Sequence, residues 1–225
     1  MFANGRYCVI PVFIITIEGN IAAGKTTILR ALQEEKKKNL LLKNVVVDFE
    51  PVDKFSKLFG NEDVNPLYHF YQDKKNSYCF QNYVLDVYME RYTELLAQNP
   101  DVVVMERGLD ACKIFAELNE PYMTELEKKC LDVKFQTMKE AFSPISGTFS
   151  AQAVFHINTC VEKCVERCST RGRGEERNIP KLYFSMLDHK YREYLKTCCE
   201  EGVPVKSTQN PSLTKLLEFI QYLNK

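Results

Sequence analysis

The sequence predicts a doubly wound α/β domain, a five-stranded parallel sheet flanked by helices. Two observations carry that prediction. Short apolar runs of strand length alternate along the chain with longer stretches of helical periodicity. The runs are continuously apolar, as strands buried on both faces are.

Taken in order, the strands are expected at residues 12–18, 45–49, 102–106, 153–158 and 203–206. The first run, VFIITIE, stops at a glycine-rich stretch, and the second stops at Pro51. The third is VVVME, the fourth AVFHIN and the fifth VPVK. Helices are expected at 25–37, 76–98, 122–142, 161–168, 180–199 and 212–223. The first of these ends in EEKKK, a solvated helix end. Cys160, Cys164 and Cys168 recur at every fourth position, which places them on one helix face. They read as core thiols, because zinc sites use closer pairs or pairs with His.

Composition narrows the function. The 225 residues suit one domain spanning 1–225, with 45% hydrophobic and 27% charged residues. Lys plus Arg equals Asp plus Glu at 30 each, so the net basic footprint of a nucleic-acid binder is missing. Nine cysteines are an odd number in a chain too long to need disulfide staples, which implies a reducing compartment. The apolar stretch 9–17 is too short to span a bilayer. The N-terminal MFANGRYC lacks the Arg- and Ser-rich character of a mitochondrial presequence. A cytoplasmic protein with no membrane partner is expected.

Sheets of this kind hold ligands beyond the carboxyl ends of their strands. After the first strand stands GNIAAGKTT, which comprises Gly19, Asn20, Ile21, Ala22, Ala23, Gly24, Lys25, Thr26 and Thr27. It fits G-x-x-x-x-G-K-[ST] in the required setting of strand, loop and helix. Such a loop turns its amides and a helix N-terminus toward phosphates. Lys25 is then placed to bridge the β- and γ-phosphates of ATP, and Thr26 to hold Mg2+. Glu50 closes the second strand, where a carboxylate can accept the proton of an attacking hydroxyl. Glu106 and Arg107 close the third, an acid that can reach the metal and a base that can orient the acceptor. For Glu50 alone, an ordinary edge carboxylate is the simpler reading, and for Glu106 and Arg107 the bland alternative is a surface ion pair.

Five motifs together, IEGNIAAGKTT, EPVDKF, CFQNYV, MERG and RGRGEERNIPKLY, resemble the deoxynucleoside kinases in order and spacing. The resemblance covers residues 13–206. It implies a P-loop kinase with an Arg-rich lid that transfers the ATP γ-phosphate to the 5′-hydroxyl of a deoxynucleoside. Glu50 then resembles the general base, Arg107 its orienting partner, and Thr26 with Glu106 the Mg2+ environment. Gln81 resembles the amide that pairs with the base edge. Tyr71 and Glu176 resemble the pair that holds the sugar 3′-hydroxyl. Phe115 resembles the aromatic that stacks on the base, and Phe55 a pocket wall that is usually Trp. The resemblance also implies a homodimer built through long helices, for which 76–98 is the candidate.

The lid falls on STRGRGEERNIP, residues 169–180. There Arg167, Arg171 and Arg173 are expected to fold over phosphates, and Glu176 to turn to the sugar. Arg177 receives no role. The chain departs from the family pattern in ways that bear on the base. Either Ala111 or Cys112, depending on the alignment, stands where members that prefer deoxycytidine or deoxyguanosine carry Asp. Tyr88, seven residues after Gln81, stands where those members carry Arg. A pyrimidine is favoured, thymidine ahead of deoxycytidine, with purine or broad specificity as the alternative. A thymidylate kinase would need an Arg near the second strand to grip the acceptor phosphate, and EPVDKF has none. A non-catalytic scaffold fits poorly with Lys25, Thr26, Glu50, Glu106 and Arg107 all in place.

Overall fold

In the computed structural model, residues 12–58, 64–142 and 151–223 are described. The N-terminal stretch read against a presequence lies outside them. Chain order runs β1 (Phe13–Gly19), α1 (Lys25–Lys36), β2 (Val45–Asp48), α2 (Val52–Phe55), α3 (Pro66–Gln72), α4 (Ser77–Ala97) and β3 (Val102–Glu106). It continues with α5 (Leu109–Glu117), α6 (Glu125–Phe142), β4 (Ala153–Ile157), α7 (Val161–Arg171), α8 (Lys181–Glu200), β5 (Val205–Thr208) and α9 (Leu213–Leu223). The five strands pair in parallel in the order β2-β3-β1-β4-β5.

Successive side chains on a strand point to opposite faces. Ile15, Ile17, Val104 and Phe155 enter one buried cluster with Leu29 of α1, Leu187 of α8 and Phe219 of α9. Ile14, Val103 and Met105 enter the other, with Tyr88 and Tyr92 of α4 and Phe135 and Met138 of α6. Both faces are therefore covered, which explains the absence of polar alternation in the central strands. From β1 the chain first fills the sheet on one side, through β2 and β3, and then on the other. The carboxyl end of β1 is thus the switch point where a crevice opens.

Several boundaries differ from expectation, each for a local reason. Helix α7 runs three residues beyond 168, because Gly172 (φ +67) is the left-handed stop and its N–H caps the Cys168 carbonyl at 3.4 Å. Arg171 is consequently helical, and a short 3-10 turn, Gly174–Glu176, follows. Cys160 is exposed at the start of that helix, whereas Cys164 and Cys168 are buried, so two of the three thiols are core. Strand β5 starts at Val205, because the Val203 N–H closes the end of α8 on Cys198 O at 2.8 Å. It is also an edge strand with Lys206 and Ser207 exposed. Helix α6 begins at Glu125 after a 3-10 turn that takes up Tyr122. Helices α2, α3 and α5 were not anticipated. Asn65 before Pro66 was a readable start for α3: its side chain accepts the Tyr68 N–H at 2.8 Å.

Candidate active site

The loop after β1 is shaped by two glycines. Gly19 has φ +144, and a Cβ there would lie 2.7 Å from the Ile157 carbonyl oxygen on β4. Gly24, at φ +107, sets the left-handed entry into α1. Between them Asn20 is a strut: its side chain donates to Phe184 O at 2.9 Å and accepts the Ile21 N–H at 2.8 Å. Thr159 and Arg167 both donate to Ala23 O, at 2.9 and 3.2 Å. The Lys25 ammonium is buried and donates to Asn20 O at 2.8 Å and Gly19 O at 3.3 Å. Burial, and secondarily Arg107, brings its pKa down to about 8, so it stays mainly protonated at pH 7.

Thr26 and Glu106 are brought together across 80 residues of sequence. The Thr26 hydroxyl lies 2.8 and 3.0 Å from the two Glu106 carboxylate oxygens. Among the described residues no cluster of three or more His, Cys, Asp or Glu side chains could hold a metal alone. One hydroxyl and one carboxylate fit Mg2+, which keeps waters and takes its remaining ligands from substrate phosphates.

Glu50 and Arg107 also meet, with the Arg107 Nε 3.2 Å from the Glu50 carboxylate. Burial pushes the Glu50 pKa up, but Arg107, Lys25 and Arg91 outweigh it and hold the carboxyl below its ordinary value. Glu50 is therefore an ionised base across neutral pH. Arg107 has φ +58, a left-handed conformation that is uncommon outside glycine and costs on the order of 1–3 kcal/mol. Its surroundings enforce it. Its N–H donates to Ile17 O at 3.2 Å, and its guanidinium donates to Gly19 O at 3.1 Å and to the Tyr191 hydroxyl. Its guanidinium carbon lies 4.7 Å from the centre of the Phe115 ring.

Two cavities share this wall. One, of about 440 Å³, is lined by every residue expected at the acceptor: Glu50, Phe55, Tyr71, Gln81, Tyr88, Arg107, Phe115 and Glu176. Phe55 and Tyr88 stack there, 6.5 Å apart and nearly parallel, and Tyr71 is a neutral phenol because burial raises its pKa well above the usual value. The second cavity, of about 1380 Å³, is lined by the Ala22 to Thr27 loop, Arg167, and Asn210 and Pro211 beyond β5. Ala22, Lys25, Thr26, Arg30, Glu106, Arg171 and Arg173 line both. A phosphate chain in one cavity would meet a hydroxyl in the other at those shared residues.

The lid departs from expectation in its pairing. Glu176 does line the first cavity, yet its carboxylate is held by Arg171 and by Arg173, the latter at 3.4 Å. The Cys168 thiol donates to it at 3.4 Å. Neighbouring Glu175 ties the lid to the start of α3 through Asn65 at 2.9 Å. Arg177 is exposed.

The family model described as deoxynucleoside kinase matches residues 15–218. The chain belongs to the deoxynucleoside kinase family. Thymidine kinase 2, mitochondrial, of Macaca fascicularis is 31% identical over 186 residues, 81% of this chain and 64% of the relative. A putative deoxynucleoside kinase of Frog virus 3 is 28% identical, covering 79% of this chain and 80% of the relative. Deoxycytidine kinase 1 of Xenopus laevis is 26% identical, covering 80% and 73%. The chain thus spans just under two thirds of the length of the thymidine kinase 2 relative. As a deoxynucleoside kinase family member it has a parallel α/β sheet with the phosphate-type loop at the switch point. Four residues around that loop escaped the sequence reading: Glu18, Asp48, Arg91 and Tyr191. Their partners are distant in sequence, and no motif marks Asp48, Arg91 or Tyr191, whereas Glu18 stands inside IEGNIAAGKTT without an assigned role.

Proposed function

We propose that this chain transfers the γ-phosphate of ATP to the 5′-hydroxyl of a deoxynucleoside, a pyrimidine by preference. The observation that carries the reading is the ionised, Arg-paired Glu50 in an aromatic cavity that shares Lys25 and Thr26 with a second, larger one along the glycine-rich loop. In this reading the deoxynucleoside lies in the smaller cavity, its base edge at Gln81 and its ring against Phe115. Tyr71 and Glu176 take the 3′-hydroxyl. Glu50 accepts the 5′-proton, Arg107 orients that oxygen, and Lys25 with the lid arginines neutralises charge on the transferred group. Thr26 and Glu106 would hold Mg2+, whose chemistry is to screen the phosphate oxygens and align them for attack.

The base preference is supported by the cavity wall. Ala111 and Cys112 both line it, so neither alignment puts an Asp there, and Tyr88 fills the position of an Arg. Thymidine is proposed ahead of deoxycytidine. The described cysteines are free thiols, consistent with the reducing cytoplasm proposed for the chain. A homodimer along α4 and α6 is proposed on the resemblance, and Leu126 and Val133 of α6 are exposed there.

The test is kcat/KM for the four deoxynucleosides and for thymidylate, with ATP and Mg2+. Activity on thymidine above the others is expected, and inactivity on all of them would sink the reading. The lid gives a second prediction. Arg171→Ala and Arg173→Ala should lower kcat on the order of 10- to 100-fold while changing deoxynucleoside KM far less, because forked donors act on phosphate charge. Equal losses in KM and kcat would count against phosphate contact.

A further inference from the structure

Glu18 is the last residue of β1 before Gly19 and is 0% exposed. It lines neither cavity, and neither does Tyr191. Yet both touch the residue that the acceptor cavity depends on. One Glu18 oxygen accepts the Gly108 N–H at 2.8 Å, the backbone amide that follows Arg107. The other accepts the Tyr191 hydroxyl at 3.1 Å. That same hydroxyl accepts from the Arg107 guanidinium.

We propose that Glu18 and Tyr191 form a relay of positioning residues that sets the pose of Arg107 for phosphoryl transfer from behind the cavity wall. The proposal rests on the kinase reading of the site. Arg107 sits in a strained left-handed conformation, so both its backbone and its guanidinium need restraint. Glu18 supplies both, the first through Gly108 and the second through the phenol. The phenol serves in the middle of this chain because its hydroxyl donates one bond and accepts another at a single oxygen. Burial keeps Tyr191 neutral, so its proton remains available to Glu18. Tyr191 also belongs to α8, the helix that follows the lid turn.

The carboxylate is a costly choice for such a place. Burial raises its pKa, opposed by Arg107, the Gly108 N–H, the Tyr191 hydroxyl and Lys25, and the result is about 7. The groups facing it are Arg107 and Gly108 after β3, Lys25 of α1, Cys112 of α5, and Tyr191, Tyr194 and Cys198 of α8. His156 is its register partner on β4 and is neutral, with a pKa that burial brings down to about 4. Once protonated, Glu18 no longer offers two charged acceptors, and the relay loosens.

The experiment compares Tyr191→Phe, Glu18→Gln and the double variant with the wild-type chain, using ATP, Mg2+ and the best deoxynucleoside. Tyr191→Phe keeps the ring in the core, so folding is retained. Each single variant should lose on the order of 10- to 100-fold in kcat with both KM values little changed. The double variant should be no worse than the weaker single one, because the residues act as a unit. The wild-type kcat should fall as pH drops through about 7, and Glu18→Gln should lack that limb. Single variants with wild-type kcat, additive losses, or a limb that persists in Glu18→Gln would each overturn the relay. A wild-type chain inactive on every deoxynucleoside would sink the kinase reading and the relay with it, whereas an active chain with unaltered variants would sink the relay alone.

Discussion

Replacing Glu50 with Gln is expected to lower kcat by about 10²- to 10⁴-fold, with little change in the affinity for ATP. The substitution is nearly isosteric, so the Arg107 Nε keeps an oxygen to bond at about its present 3.2 Å. What is lost is the capacity to take a proton. Arg107, Lys25 and Arg91 hold the Glu50 carboxyl below its ordinary pKa, so the wild-type base is ionised well into mild acid. The deficit should therefore be constant from pH 5 to 8 on Glu50's account. Steady-state kinetics at saturating thymidine and ATP would check it. A Gln variant that kept a tenth or more of the wild-type kcat would assign the proton to another group.

The second large effect concerns stability. Arg91→Met should cost about 3–5 kcal/mol, the range for breaking a buried ion pair at one end. Arg91 lies behind the site on α4 and reaches Asp48 at 2.5 Å, Glu106 O at 2.8 Å and Arg107 O at 3.1 Å. Its removal takes a donor from all three acceptors. Burial already raises the Asp48 pKa, and Arg91 is the chief group opposing that rise. Without it the folded-state pKa climbs further above the unfolded value. The folded variant then binds the extra proton, so its stability falls as pH rises through that window. The deficit should be largest at pH 8 and smaller at pH 5, as read by urea unfolding. A second substitution, Asp48→Asn, should recover part of the loss at pH 8. Equal stability of Arg91→Met and wild type at pH 8 would show that Arg91 is not a structural anchor. Activity should fall as well, because the two carbonyls belong to Glu106 and Arg107.

The sheet was legible because its strands are continuous apolar runs ended by Gly19 and Pro51, and because Lys25 and Thr26 occupy a loop whose spacing is itself the mechanism. Glu50, Glu106 and Arg107 were legible as strand-end residues, since the parallel sheet delivers all such positions to one edge. What the sequence concealed has two physical sources. Short helices such as α2, four residues long, complete too little of a turn pattern to register. Helix α5 has Gly108 at its N-cap and no side-chain cap, so no start signal announces it. The buried supports were hidden for another reason. Glu18 and Tyr191 are 173 residues apart, and Asp48 and Arg91 are 43 apart. Their partnership exists only after the sheet closes. The lid is legible as an Arg-rich loop, but its ion pairs are not, because Arg171 belongs to the end of helix α7 rather than to the loop.

Those ion pairs have a consequence for how two different molecules would enter one enzyme. At rest, the proposed phosphate-gripping groups and the proposed sugar-gripping group neutralise one another, Arg171 and Arg173 against Glu176. A phosphate chain that draws off the arginines leaves the carboxylate ready for the sugar. A sugar hydroxyl that takes the carboxylate leaves the arginines ready for phosphate. Each substrate thereby removes a competitor of the other, and thermodynamic linkage makes the help equal in both directions. Donor and acceptor would each bind more tightly in the other's presence through the exchange of a single carboxylate's partners.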